Sequence, residues 1–277
     1  MQKFAVILSY KGTRYCGWQT QTGSGAAKDP SIQSTIQAAL AQMTGEDTSI
    51  VASGRTDSGV HAVRQVAHFV LKKKEWPTRI LHRGLNTILP NDIRIRKVIP
   101  VSMEFHAQRS ALRKQYSYYF QQGTSPLPHL EPYSWFIHKA LDQQAMNEAV
   151  AHLIGEHDFK AFQASGSKPT TTSVRTILEA EVREVPAGFP ADDQFGREVT
   201  FMRARLMGTG FLKQMVRGIA GTLLQIGEGR RPPEDMKKLL EARSRTGVGP
   251  TAPARGLWLE KVWYPPEFEA EFGADLA

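Results

Sequence analysis

Two glycines bracket a cation, a hydroxyl and a carboxylate in Gly54-Arg55-Thr56-Asp57-Ser58-Gly59, which Ser53 precedes and Val60-His61 follows. Glycine accepts backbone paths that larger residues resist, so this loop can hold Asp57 from both ends and present its carboxylate outward. A carboxylate presented in that way is a nucleophile or a general base, and a nearby arginine favours its charged form. Asp, Ser and Gly are also the residues of ordinary turns, where they satisfy the backbone and do nothing more. Residue types alone support both readings.

A second stretch runs from Gly208-Thr209-Gly210-Phe211 to Leu224. Its pattern predicts a helix over about 211–226, with Leu212, Met215, Val216, Ile219 and Leu223 on an apolar face. Lys213, Arg217 and Gly221 recur at four-residue spacing on another face. That side is either a solvated basic face or one turned toward phosphates or an acidic catalytic group, with small residues beside Arg217 allowing close approach. No Walker sequence follows Gly-Thr-Gly, so a nucleotide phosphate loop is not indicated. The third stretch, Phe105-His106-Ala107-Gln108-Arg109 through Arg113-Lys114-Gln115-Tyr116-Ser117-Tyr118-Tyr119, interleaves basic and aromatic residues. Cations for phosphates and rings for stacked bases make a nucleic-acid surface. Alternating tyrosines in a strand also make an ordinary core.

Metal chemistry is not expected. The chain has one cysteine, Cys16, so a thiolate-rich zinc site is excluded, and its eight histidines are scattered with no His-Glu-x-x-His. A Gly-x-Ser-x-Gly elbow and a dinucleotide fingerprint are also missing.

The elements that must carry these stretches follow from periodicity. Phe4, Val6, Leu8 and Tyr10 alternate as in a strand. After a Gly-, Ser- and Thr-rich loop from Gly17 to Pro30, Ser31 caps a helix with Ile32, Ile36, Leu40 and Met43 at helical spacing, closed by Gly45. Short strands are expected at 49–53 and 65–71. A helix begins at Pro77, carrying Ile80, Leu81, Leu85 and Ile88, and a strand at 92–98 follows. The second half has a similar rhythm: a β-rich stretch at 113–121 with Tyr116, Tyr118 and Phe120 on one face, a helix at 142–155, strands at 174–185 and 198–207, helices at 211–226 and 232–243, and a last strand at 257–263. The fold class expected is α+β: two similar subdomains with a mixed, mainly antiparallel sheet flanked by helices and an active-site cleft between them. The expected partition is 1–106 carrying Asp57, 107–266 carrying Arg217, and a C-terminal tail at 267–277. Strand order cannot be read from periodicity.

With 277 residues, the chain is long enough for one large domain or two ordinary ones, at about 150 residues each. It is 41% hydrophobic and 22% charged, the balance of a globular protein rather than a disordered one. Lys and Arg number 35 against 27 Asp and Glu, a formal charge of +8 that favours a polyanionic partner. The single cysteine, the brief apolar run at the N-terminus and the lack of any span of roughly 20 apolar residues lead to the expectation of a cytoplasmic protein that engages no membrane.

Together the three stretches resemble the TruA family of tRNA pseudouridine synthases. The match begins at Tyr10-Lys11-Gly12-Thr13 and Gly17-Trp18-Gln19 and peaks at Gly54-Arg55-Thr56-Asp57-Ser58-Gly59-Val60-His61-Ala62. It continues through Leu85-Asn86, Leu89-Pro90, Phe105-His106-Ala107, His157-Asp158-Phe159 and Met215-Val216-Arg217 to Gly256-Leu257. The segments stand in family order over nearly the whole chain. The resemblance implies the pseudouridine synthase fold and isomerisation of uridine at tRNA positions 38, 39 and 40 in the anticodon stem-loop. The base–ribose N1–C1′ bond breaks, the base turns, and C5 joins C1′.

By the same resemblance, Asp57 is the catalytic aspartate, Arg217 the arginine that pairs with it, and Tyr116 the tyrosine that packs on the target base. Arg55 is the loop arginine, and Lys213 and Leu257 are further substrate contacts. Relatives are homodimers, so a homodimer is implied. Isomerisation conserves atoms and is redox-neutral, so no cofactor is expected. A uridine inside a stem must be flipped out at a cost of about a few kcal/mol, and stacking on an aromatic face, worth about 1–3 kcal/mol, offsets part of it.

The sequence departs from the family pattern at Gln108, where Arg is usual, and in the long loop containing Gly23-Ser24-Gly25. Two other readings share these features: an RNA-binding protein of the same fold without catalysis, against which intact Asp57, Tyr116 and Arg217 argue, and a pseudouridine synthase acting on another RNA.

Overall fold

Alternating Phe4, Val6, Leu8 and Tyr10 form a strand whose four side chains are all buried, and Ala5 and Ile7 on its other face are buried as well. This and the following elements belong to a computed structural model that describes residues 1–20, 29–164, 172–186 and 199–272. In chain order they are β1 (Gln2–Tyr10), α1 (Ile32–Thr44), β2 (Val51–Ala52), β3 (His61–Leu71), α2 (Thr78–Ile88), β4 (Ile93–Val101), β5 (Arg113–Gly123), β6 (Trp135–Ile137), α3 (Gln143–Ala151), β7 (Gly155–Asp158), β8 (Val174–Val185), β9 (Val199–Gly208), α4 (Met215–Gly227), α5 (Asp235–Ala242), β10 (Leu257–Trp263) and α6 (Pro266–Phe272). The Gly23-Ser24-Gly25 loop and most of the turn region between β8 and β9 lie outside the described residues. Among those described, no helix is long and apolar enough to cross a membrane.

The chain forms two compact units, Met1–Lys114 with Leu259–Ala277, and Gln115–Trp258. In the first, the strands run in the order β4-β1-β3-β10, with β2 on β3. β1 is antiparallel to both β3 and β4, with Phe4 opposite Phe69 and Leu8 opposite Gln65. Between Leu8 and Tyr10 the β1–β3 register shifts, so that Tyr10 faces Ala62. Such an irregularity re-aims a side chain, here at the strand end beside the Asp57 loop. The α1 boundaries are those expected. Ser31 and Ser34 cap each other's backbone amides at 2.9 and 3.1 Å, and Gly45 takes a left-handed φ of 70°. α2 packs on β4 and α1 and buries Leu81 and Leu85; Ile80, expected on one side with them, is exposed.

The expected partition breaks at 106/107 and makes 267–277 a tail, whereas the compact units divide at 114/115 and return to the first unit at 259. Aromatic packing is what returns the C-terminal segment to the first unit. Phe105 is fully buried, and its ring meets those of Tyr264, Phe268 and Phe272 at centroid distances of 5.2, 5.2 and 5.6 Å. Residues 266–272 are therefore a helix, and Phe272 is buried.

In the second unit the order is β5-β9-β8-β7, with β6 on β5. β7–β8 and β8–β9 are antiparallel, whereas β5–β6 is parallel, so the α+β class with mixed, mainly antiparallel strands holds. Glu181 of β8 receives Arg203 and Arg205 of β9 at 3.3 and 2.8 Å, opposite-charge pairing across a strand pair. α3 packs on β8 and α4 and starts at the cap Asp142, whose carboxylate accepts from the Ala145 amide. It stops at Ala151, short of the expected 155, and residues 155–158 form β7 instead.

The largest difference concerns α4, which begins at Met215 rather than near Phe211. The Lys213 carbonyl accepts from the Ala164 amide at 3.0 Å instead of from a residue one turn on, and Gln214 takes a left-handed φ of 59°. Lys213 consequently does not share a helix face with Arg217.

Candidate active site

The Asp57 loop leaves β2 and enters β3, and the first unit holds it at nearly every residue. Ser53 is fully buried; its amide donates to Val66 O at 2.8 Å and its hydroxyl to Gln65 Oε1 at 2.6 Å. The Lys114 ammonium donates to Ser53 O at 2.6 Å. Gln65 Nε2 donates to Gly54 O at 3.0 Å. Thr56 shares a 2.9 Å hydrogen bond with the Tyr10 hydroxyl, and its carbonyl accepts from the Trp18 amide at 3.0 Å. The Val60 amide closes a turn on Asp57 O at 3.1 Å, and Ser58 Oγ donates to Tyr15 O at 3.1 Å.

Close approach explains the glycines upstream. Gly17 has φ +105°, and a Cβ there would lie 2.6 Å from Thr56 O. At Gly12 a Cβ would come within 2.0 Å of Val60 O, and the Gly12 amide donates to His61 Nδ1 at 3.2 Å. Any side chain at either position would push the loop away. Burial raises the Tyr10 pKa to about 12, against the lowering effect of its hydrogen bonds with Thr56 and Gln65. The hydroxyl therefore stays protonated and remains a donor at neutral pH. On this frame Asp57 is half-buried, with Arg55 exposed two residues before it. A half-buried carboxylate on a backbone pinned on both sides is preorganised for attack or proton abstraction.

The second unit carries the other candidates. Tyr116 of β5 is 7% exposed and meets the Phe211 ring edge to face, centroids 5.0 Å apart at 73°. Arg217, in the first turn of α4, is fastened in both directions to the 250–253 segment. Its Nε donates to Ala252 O at 2.7 Å, and the Ala252 amide donates to Arg217 O at 3.1 Å. This approach needs Gly221, where a Cβ would lie 1.6 Å from Pro250 O, and Gly249, whose amide donates to Thr222 Oγ1 at 3.0 Å. Tyr118 donates to Pro253 O at 2.8 Å, and burial raises its pKa although Arg217 and Arg255 act in the opposite direction. Leu257 is buried at the start of β10, and Lys213 is exposed ahead of α4.

Asp57 and Arg55 thus share one loop of the first unit, while Tyr116, Arg217, Lys213 and Leu257 belong to the second. Sequence reasoning missed the supporting residues Tyr10, Gln65 and Phe211 and the 249–253 segment. Tyr10 was legible as a strand residue and as the start of the family match but not as a support of the loop, Gln65 only as the start of a strand and Phe211 only as the start of a helix.

The model of the tRNA pseudouridine synthase family matches residues 6–108 and 149–265, which include all six candidates except Tyr116. A tRNA pseudouridine synthase A of Geobacter sp. (strain M21) is 39% identical over 268 residues, 96% of this chain and 100% of its own length. Relatives with the same description in Geotalea uraniireducens (strain Rf4) and Syntrophotalea carbinolica are 40% and 39% identical, over 95% and 96% of this chain and 100% and 98% of theirs. Among solved structures, a Cbf5-Nop10-Gar1 complex aligns with 92% of this chain and 57% of its own at 12% identity and a TM-score of 0.32, too slight a likeness to bear on the argument. A matching family model over most of the chain, with relatives of this identity over nearly full length, makes the chain a member of the tRNA pseudouridine synthase family, an isomerase of the TruA type.

Proposed function

We propose that this enzyme converts uridine to pseudouridine at positions 38, 39 and 40 of the tRNA anticodon stem-loop, with Asp57 as its catalytic carboxylate. The observation that carries this reading is the way Tyr10, Gln65, Trp18 and the carbons missing at Gly12 and Gly17 hold the Asp57 backbone. Asp57 bonds either to ribose C1′, displacing N1, or to the base, and in both routes that bond breaks again as the product forms, returning the free carboxylate. In either route N1–C1′ breaks, the freed uracil turns, C5 bonds to C1′, the C5 proton leaves to solvent and N1 gains one. Arg217 acts as the charge partner of Asp57, favouring the carboxylate. Tyr116 stacks on the flipped base, and its edge contact with Phe211 supports a fixed ring plane. Arg55, Lys213 and Leu257 supply further substrate contacts.

The test is a map of pseudouridine in tRNA from cells with and without this protein. Loss confined to positions 38–40 is expected. Unchanged tRNA with loss in another RNA would replace the substrate, and no loss anywhere would leave a binding protein without catalysis. The active form proposed is a homodimer; light scattering that finds an active monomer at assay concentration rejects it.

A further inference from the structure

The first unit gathers four groups able to carry positive charge from three parts of the chain: Lys3 of β1, His68 of β3, and His106 and Arg109 of the segment between β4 and β5. The two imidazole rings lie 4.8 Å apart. His68 Nδ1 accepts the Ala107 amide at 3.2 Å, and His68 also bonds the backbone of Val51. His106 Nδ1 accepts the amides of Gln108 and Arg109, both at 3.2 Å, and its own amide donates to Ser110 Oγ at 3.1 Å. Lys3 Nζ donates to Met103 O at 2.9 Å. These bonds tie Lys3 and both imidazoles to the one turn that carries Arg109. They also fix the neutral His106 as the Nε2–H tautomer, a donor with no protein partner among the described residues.

No carboxylate among the described residues pairs with Lys3, His68, His106 or Arg109. The contrast with β8 and β9 is direct, since Arg203 and Arg205 there share Glu181. The groups repel one another instead. Burial and then the charge of Arg109 lower the Lys3 pKa. Burial, followed by Lys3 and His106, takes His68 down to about 4, and burial followed by Arg109 lowers His106. Buried Tyr264, whose hydroxyl donates to Ala107 O at 2.7 Å, stays protonated and adds no negative charge. A cationic cluster without a counter-charge, partly exposed at Lys3, His106 and Arg109, is a place where an anion relieves repulsion.

We propose that Lys3, His106 and Arg109, braced by His68, bind one phosphate of the RNA backbone. Lys3 contributes a point charge, Arg109 a planar fork suited to phosphate oxygens, and His106 the Nε2–H. Val51, paired with His68, precedes Asp57 by six residues, so cluster and carboxylate lie within about 22 Å along the chain. One anticodon arm is long enough to engage both. The assignment rests on the tRNA reading above.

The test measures binding of an anticodon stem-loop to the full-length protein, Lys3→Ala, Arg109→Ala and the double variant from low to moderate salt, alongside pseudouridine formation. Each substitution is expected to raise Kd several-fold and lower the salt slope by about one. KM should rise while kcat at saturating tRNA changes less than twofold, with unfolding midpoints kept. In a second arm, NMR of labelled histidine follows the His106 ring with inorganic phosphate alone or with the stem-loop, and its pKa should rise with the stem-loop. Unchanged Kd and salt slope in the double variant overturn the site while leaving the catalytic reading intact. A His106 response to inorganic phosphate with none to the stem-loop overturns RNA as the source of the anion. If the parent forms no pseudouridine, it is the catalytic reading that fails, and the binding and NMR arms still decide the site.

Discussion

The Tyr10 hydroxyl lies 2.9 Å from that of Thr56, inside the first unit, joining the end of β1 to the residue before Asp57. Gln65 Nε2 donates to the same Tyr10 oxygen at 3.4 Å and to Gly54 O at 3.0 Å. Three residues spread over 55 positions of sequence thus form one buried polar network under the Asp57 loop. Every member needs its partners, because a buried polar atom left unmatched costs more than the bond itself contributes.

Replacing Tyr10 by Phe keeps the ring and leaves Thr56 Oγ1 and Gln65 short of a partner. Stability should fall by about 1–3 kcal/mol, read by urea unfolding. kcat should fall more than tRNA affinity, because the loop loosens while the phosphate contacts stay. Adding Thr56→Val removes the second polar group, so the double variant should be less destabilised than the sum of the singles. Strict additivity would show that the two hydroxyls do not act together.

Asp57→Asn keeps the side chain's shape and removes its charge, and Asp57→Ala removes the group. Both should abolish tritium release from C5-labelled uridine in tRNA while binding tRNA near the parental level, since affinity arises mainly from phosphate and stacking contacts. Substantial release by either variant would mean that Asp57 is not the catalytic group. Loss of binding together with activity would assign the loop a structural role.

Tyr116→Phe preserves the ring, its stacking and its edge contact with Phe211, whereas Tyr116→Leu removes all three. The Leu variant should lose roughly 1–3 kcal/mol of substrate binding, measured as the Kd of the stem-loop. The Phe variant should bind normally and turn over slowly if the hydroxyl moves a proton. Equal turnover by the Phe variant and the parent removes the hydroxyl from the mechanism.

His68 gives the protein an acid-side sensitivity. Burial, aided by Lys3 and His106, lowers its folded pKa from 6.5 to about 4, so the fold favours the neutral ring. Its contribution to stability is complete above pH 6.5 and is lost as pH falls from 6.5 toward 4, by roughly 2–4 kcal/mol in all. Urea unfolding at pH 7, 5.5 and 4.5 should show this loss in the parent and a smaller one in His68→Gln. Identical pH dependence in both proteins would place the titration elsewhere.

Local chemistry made several elements legible from the chain alone. Ser31 and Gly45 mark the ends of α1 because a cap and a left-handed residue act within one helical turn. Residues 174–185 and 257–263 read correctly as strands because alternation and flanking breakers are local too. The loop 54–59 stood out by composition, and the comparisons bear out the family it implied. Tertiary structure decided what depends on distant partners. Lys213 left the helix because its carbonyl bonds the Ala164 amide, 49 residues upstream. Residues 266–272 became a helix of the first unit because Phe268 and Phe272 close on Phe105. Gln65 had no visible role until folding set it between Ser53, Gly54 and Tyr10. Periodicity and capping are written in adjacent residues, whereas the choice of a hydrogen-bond partner or packed ring tens of residues away is made only when the chain closes on itself.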